Sequence, residues 1–148
     1  MRVRARHGGL MGGPGNNEGN LVERRLVELA EDRRRLAMII DGTAVGTWEW
    51  NVPTGQMRIN ARWAEIVGYR LDELEPVCQE TFIALVHPDD LARSDAALEE
   101  HFQGRSDHYA CLLRMRHKDG RWIWIHDRGR VFEWDGQGRP LWMAGAHD

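Results

Sequence analysis

The stretch from Tyr109 to Trp134, YACLLRMRHKDGRWIWIHDRGRVFEW, constrains this chain more than any other. Two β-type runs flank the tight polar segment Lys118-Asp119-Gly120-Arg121. Asp-Gly between alternating apolar runs signals a hairpin, because Gly takes the positive φ of such turns without a steric penalty. In the first arm Tyr109, Cys111, Leu113 and Met115 share one parity. In the second, Trp122, Trp124, Phe132 and Trp134 share one parity, while Ile123, Ile125 and Val131 share the other. Successive strand residues point to opposite faces, so each set lies on one face of a sheet. Large apolar groups on both faces predict a strand covered twice, by the domain's own helices and by another segment or subunit.

A chain of 148 residues suits one domain with an appendage. Its 42% hydrophobic and 29% charged residues describe a globular protein. Seven Trp point to core or interface anchors, since each indole N–H wants a partner when buried. A net charge of −3 argues against a nucleic-acid surface. Cys78 and Cys111 stand in no C-x-x-C spacing and read as reduced thiols of a cytoplasmic domain. No apolar run spans a bilayer, and the basic start lacks the hydrophobic core of a signal peptide. No direct membrane contact is expected, although a longer parent protein is free to carry an anchor.

Taken in order, residues 1–20 are rich in Gly, Asn and Arg and read as a disordered tail. Residues 21–41 form a helix. Val22, Leu26, Leu29, Leu36 and Ile40 follow spacings of three and four, an a/d seam interrupted at Arg33. Two readings stay open: the helix pairs with its twin in a homodimer, or it folds back as an amphipathic cover. The narrow stripe, with charge on its other faces, favours the dimer. The helix has no strong stop and runs into Asp41-Gly42.

Residues 42–148 then alternate between strand and helix signals. Gly46–Val52 is a strand, Pro53-Thr54-Gly55 a turn, and Gln56–Ile59 the returning strand. Asn60 caps a short helix that Gly68 stops, Leu71–Leu74 is a further helical turn, and Thr81–Val86 is a short helix. Pro88 suits the first position of the next helix, and Asp89 and Asp90 favour its positive end. Gly104 ends that helix, the central hairpin follows, and Pro140–His147 is the last strand. Antiparallel strands with helices grouped between them describe an α+β domain.

This ordered pattern resembles the PAS domain, in its tryptophan-rich subtype with a PAC-type C-terminal motif. The matching residues are Trp48-Glu49-Trp50-Asn51 with Thr54-Gly55, Trp63 with Ile66-Val67-Gly68-Tyr69, Glu73-Leu74 and His87-Pro88-Asp89-Asp90. They continue with Leu113-Arg114-Met115-Arg116, Lys118-Asp119-Gly120, Trp122-Ile123-Trp124, Arg128-Gly129, Gly138-Arg139-Pro140 and Gly145. The resemblance implies a five-stranded antiparallel sheet of order 2-1-5-4-3, cupped around short helices. It also implies a sensory module that passes a signal to a C-terminal effector. Family members continue with Asp-Ile-Thr where this chain ends at Ala146-His147-Asp148. The expectation is a regulatory piece of a longer signalling protein, a histidine kinase of a two-component system or a diguanylate cyclase.

No nucleophile–base set or phosphate-cradling loop is visible, so no catalysis is expected. His87-Pro88-Asp89-Asp90 reads as helix-start chemistry. The histidines form no i, i+4 pair, so no metal is expected. Some PAS domains bind haem through a histidine on the helix before the hairpin. His101 lies near the end of that helix, among Glu99, Glu100 and Gln103, a solvated setting that disfavours haem. The adduct motif of photoactive flavin members, Asn-Cys-Arg-Phe-Leu-Gln, is absent. Non-covalent flavin stays open against tryptophans that simply pack the core, and no cofactor is the expectation. A small-molecule pocket, weighed equally with a filled core, would be lined by Trp63, Ile66, Val67, Leu98 and Phe102. Its sheet side would be Leu113, Met115, Trp124 and Met143.

Overall fold

The computed structural model describes residues 15–148, with side chains from residue 17. The chain divides into two units, one ending at Thr43 and the other running from Ala44 to Asp148. The expected disorder over residues 1–20 lies outside the described residues up to 14. From Gly15 the chain is already helical: α1 spans Gly15–Thr43. Glu18 in its first turn faces the positive end of the helix dipole, which offsets part of the cost of Gly19. Asp41-Gly42 does not end the helix. It stops at Thr43, whose Oγ1 donates at 3.0 Å to the carbonyls of Ile39 and Ile40, and Ala44 then turns left-handed with φ +53. Val22, Leu26, Leu29 and Leu36 are exposed and Ile40 is half-buried. Leu21 and Ile39 widen the same stripe, while Val27 and Met38 fall on the opposite side. Among the described residues no helix is long and apolar enough to cross a membrane.

In the second unit the order is β1 (Gly46–Asn51), β2 (Met57–Ile59), α2 (Ala61–Ile66), α3 (Leu71–Leu74), α4 (Gln79–Leu85), α5 (Pro88–Phe102), β3 (Tyr109–Arg116), β4 (Trp122–Trp134) and β5 (Pro140–His147). The five strands pair antiparallel in the order β2-β1-β5-β4-β3, as the resemblance implied. The last strand is the central one, so the two hairpins join only when β5 pairs with both.

Local chemistry fixes the helices to this sheet. Asn60 Oδ1 accepts from the Trp63 and Thr47 amides at 3.0 and 2.9 Å, and Nδ2 donates to the Val45 carbonyl at 3.2 Å. The cap of α2 is therefore also its attachment to β1. At α5, His87 Nδ1 accepts from the Asp89 amide at 3.1 Å, with Pro88 inside the helix start. Asp90 departs from its expected role as a mere dipole partner. Its carboxylate is buried and accepts from the Arg114 amide, Nε and Nη2 at 2.8, 3.0 and 2.9 Å, with Arg93 Nη2 at 3.1 Å. The Arg114 hydrogen bonds hold Asp90 well below the usual carboxylate range, although burial opposes them. Because β3 is an edge strand, these contacts also occupy backbone groups it would otherwise present unpaired.

The core lies between the helices and one sheet face. Leu113, Met115 and Met143 are fully enclosed, with Trp63, Val67 and Ile125 nearly so. Trp48 lies across the sheet rather than standing on it. Its cross-strand partner is Gly145, which pairs with Gly129, which pairs with Tyr109. A Cβ at Gly145 or Gly129 would come within 2.5 or 2.7 Å of the Trp48 ring, so two glycines make the trough that the indole fills. On the other sheet face Leu112, Trp122, Trp124 and Phe132 are exposed, whereas the register shifts after Val131 break the expected parity at Trp134, whose ring stands 6.2 Å from that of His101. The domain's own helices supply one of the two covers expected for β4.

Candidate functional site

A cavity of about 90 Å³ opens between α4, α5 and the sheet. Trp48 and Trp50 of β1 form one wall, with Met57 of β2 beside them. Gln79, Phe82 and Ile83 of α4, with Leu91, Ser94, Asp95 and Leu98 of α5, form the helical wall. Tyr109, Asp127 and His147 close it from β3, β4 and β5. Strand parity explains the last three. Asp127 shares its parity with the inward-facing Ile125 and Val131, and its register partners are His147 on one side and Cys111 on the other.

These polar groups form a buried relay. Ser94 Oγ lies 2.8 Å from Tyr109 Oη, which donates to Asp127 Oδ2 at 3.1 Å. Burial first, and then the Asp127 charge, pushes the Tyr109 phenol far above its ordinary range, so it stays a proton donor to the carboxylate. Burial likewise pushes the neighbouring Cys111 thiol up, which keeps it unreactive. His147 stacks on Trp63 with ring centres 5.1 Å apart. Its Nε2 stands 3.1 Å from Asp127 Oδ1, an ion-pair distance, yet that oxygen receives no aligned hydrogen bond. The indole N–H groups of Trp48, Trp50 and Trp63 are also buried without an acceptor in the chain.

Of the residues expected to line a pocket, only Leu98 does. Trp63, Val67, Leu113, Met115 and Met143 fill the core, and Ile66 and Phe102 pack half-buried against it. Trp124 is 58% exposed on the opposite sheet face. The reason is register: Leu113 pairs with Ile125, so the inward residues of β4 are the odd-numbered ones, and Trp124 pairs with outward-facing Arg114. Sequence reasoning passed over Ser94, Tyr109, Asp127 and His147 as site residues. A charged residue at an inward strand position was the available signal for Asp127.

His101 does not sit in a solvated setting. It is 4% exposed; its Nε2 accepts from the Val131 amide at 2.9 Å and its Nδ1 lies 2.9 Å from the Ser106 carbonyl. Nε2 thus ties the end of α5 to β4, and Nδ1 ties it to the loop that follows the helix. Among the described residues, no group of three or more His, Cys, Asp and Glu is placed to hold a metal ion. The cavity is smaller than the roughly 150 Å³ space that admits benzene, and it is open on one side.

Comparison with known proteins gives a consistent result. Residues 56–147 match the family model described as the PAS fold. A sensory box histidine kinase/response regulator from Burkholderia thailandensis is 34% identical, with a TM-score of 0.66 over 77% of this chain and 82% of that one. The N-terminal domain of a diguanylate cyclase with PAS/PAC sensor from Marinobacter aquaeolei is 20% identical, with a TM-score of 0.59 over 70% of this chain and 93% of that one. A light-oxygen-voltage domain studied with a flavin analogue shares the fold at 16% identity, with a TM-score of 0.55 over 77% of this chain and 83% of that one. Hybrid signal transduction histidine kinase A of Dictyostelium discoideum is 37% identical over 49 residues, which is 32% of this chain and 2% of that protein. The chain thus corresponds to a small fraction of that curated relative's length.

Proposed function

The chain belongs to the PAS-fold family, and from that premise we propose that it is a non-catalytic sensory module that dimerises and relays a signal to an output domain. The output is of the histidine kinase or diguanylate cyclase kind, as in the proteins to which this chain is similar. The observation that carries the reading is the apolar stripe of α1. Val22, Leu26, Leu29 and Leu36 are each about 60% exposed on one helix face, and burying such side chains is worth about 1.5–3 kcal/mol each. Pairing two copies of α1 removes that surface from water, and the exposed aromatic sheet face offers a second contact. The helix enters β1 after only Ala44 and Val45, so a change in helix pairing has a short path to the sheet. Two packings of one helix pair differing by a few kcal/mol suffice for a signal to bias. The unpaired Cys78 and Cys111 suit a cytoplasmic setting.

Sedimentation equilibrium tests this directly. The wild-type chain is expected to be a dimer, and Leu29→Asp or Leu36→Asp to shift it to monomer while leaving the sheet domain folded. A wild-type monomer at high protein concentration would overturn the dimer. A second reading, in which the module senses a small ligand or flavin, is favoured by the aromatic-walled cavity between α4, α5 and the sheet.

A further inference from the structure

We infer that Arg33 selects the direction and register of the α1 pair by meeting Asp32 of a second copy, an inference that rests on the dimer proposed above. The observation is a charge inside the apolar stripe. Spacings of four and three place Leu26, Arg33 and Ile40 at one kind of seam position, a, and Val22, Leu29 and Leu36 at the other, d. Residues three and four away are a helical residue's neighbours on its own face. For Arg33 these are Leu29, Ala30, Leu36 and Ala37, and none carries a carboxylate. Once the stripe is covered, the acid that pairs with Arg33 has to come from another helix.

One arrangement supplies that acid. In a parallel pair each a side chain enters a hole on the facing helix, and one wall of the hole is the residue just before the partner's own a residue. With the helices in register, Arg33 lies against the partner's Asp32, twice by symmetry. The layer then holds two Arg and two Asp and carries no net charge. Sliding one helix along the other by one heptad puts Arg33 of one copy beside an Arg25 and Arg33 of the other beside an Ile39. The first contact is repulsive, and the second leaves the guanidinium unpaired. In an antiparallel pair with the two stripes fully overlapped, Arg33 faces the partner's Leu29 and again meets no acid. A charged residue at a single a position weakens the pair in exchange for one register. The stem of Arg33 still covers apolar surface while its head reaches the carboxylate at the rim.

The test is a charge exchange in the full chain, read by sedimentation equilibrium. Asp32→Arg and Arg33→Glu each put like charges in the layer, so each variant alone should raise the dimer Kd about tenfold. Mixed in equal amounts, the two form a heterodimer in which both pairs are restored. The Kd of that heterodimer should return to within about threefold of wild type. Direction is read separately. Val22→Cys on a Cys78→Ser background should cross-link to a covalent dimer under mild oxidation, because the two copies of residue 22 adjoin only in a parallel, in-register pair. A loss of affinity that mixing does not restore overturns the proposal. So does an Asp32→Arg variant that dimerises as tightly as wild type, or a dimer in which Val22→Cys stays uncross-linked. A wild-type monomer overturns the dimer itself, which separates the failure of that reading from the failure of this one.

Discussion

The two faces of the β3–β4 hairpin carry similar amounts of apolar side chain and have opposite fates. On the inner face Cys111, Leu113, Met115, Ile125 and Val131 are buried under the helices. On the outer face Leu112, Trp122, Trp124 and Phe132 are exposed, and Trp124 shows 58% of its surface. Hydrophobicity therefore does not decide which face becomes the core. The helices decide it, because α5 is fastened to β3 by Asp90 and Arg114 and to β4 by His101 and Val131. The inner face supplies folding energy, and the outer one stays in contact with solvent.

The largest expected break in this comparison is on the inner face. Leu113→Ala at a fully buried position should cost about 2–5 kcal/mol, read as a shift of the urea unfolding midpoint without a change in slope. A loss below about 1 kcal/mol would mean that the helices pack less tightly over β3 than this geometry requires.

Next comes the fastening itself. Asp90 is held below the ordinary carboxylate range in the folded state, chiefly by its hydrogen bonds to Arg114. Its contribution is therefore fully present above the unfolded Asp pKa of about 3.9 and fades as pH falls below it, through the lower folded value. Thermal unfolding from pH 7 down to pH 3 should show a steeper acid loss in wild type than in Asp90→Asn. At pH 7 the variant should be less stable by about 1.5–3 kcal/mol, since hydrogen bonds to a buried charged group are lost. Parallel pH profiles would remove Asp90 from the account.

The smallest stability effect belongs to the outer face. Trp124→Ala should change unfolding free energy by less than about 1 kcal/mol in the dissociated chain, because more than half of the ring is already in water. The same variant should weaken the dimer measurably by sedimentation if that face takes part in association. An effect on folding as large as that of Leu113→Ala would erase the distinction between the faces.

Much of this fold was legible in residue order. Asp119-Gly120 announced the hairpin, and Asn60, Gly68, Pro88 and Gly104 marked helix ends, because caps and turns depend on a few adjacent residues. The family pattern implied the strand order, which alternation alone does not contain. The site was legible in smaller part. Trp48 and Trp50 were placed together on one face, and Leu98 was placed on the cavity wall. Trp124 was placed on the wrong face because both parities of β4 carry large apolar residues. Asp90 and His101 were read from their sequence neighbours, while their partners stand on strands reached only after the chain turns back.

The sequence by itself determined the local elements, since periodicity, capping and turn chemistry act over a few residues. It also determined the glycines at 129 and 145, without which the Trp48 ring has no room. Only the tertiary structure decided which face of the hairpin is covered. It alone brought Ser94, Tyr109, Asp127 and His147 into one buried relay. These residues come from one helix and three strands, and their meeting depends on register between strands distant in the chain. A relative shift of one residue would turn Asp127 to solvent and Trp124 to the core, and the packing of all the strands and helices together selects between the two.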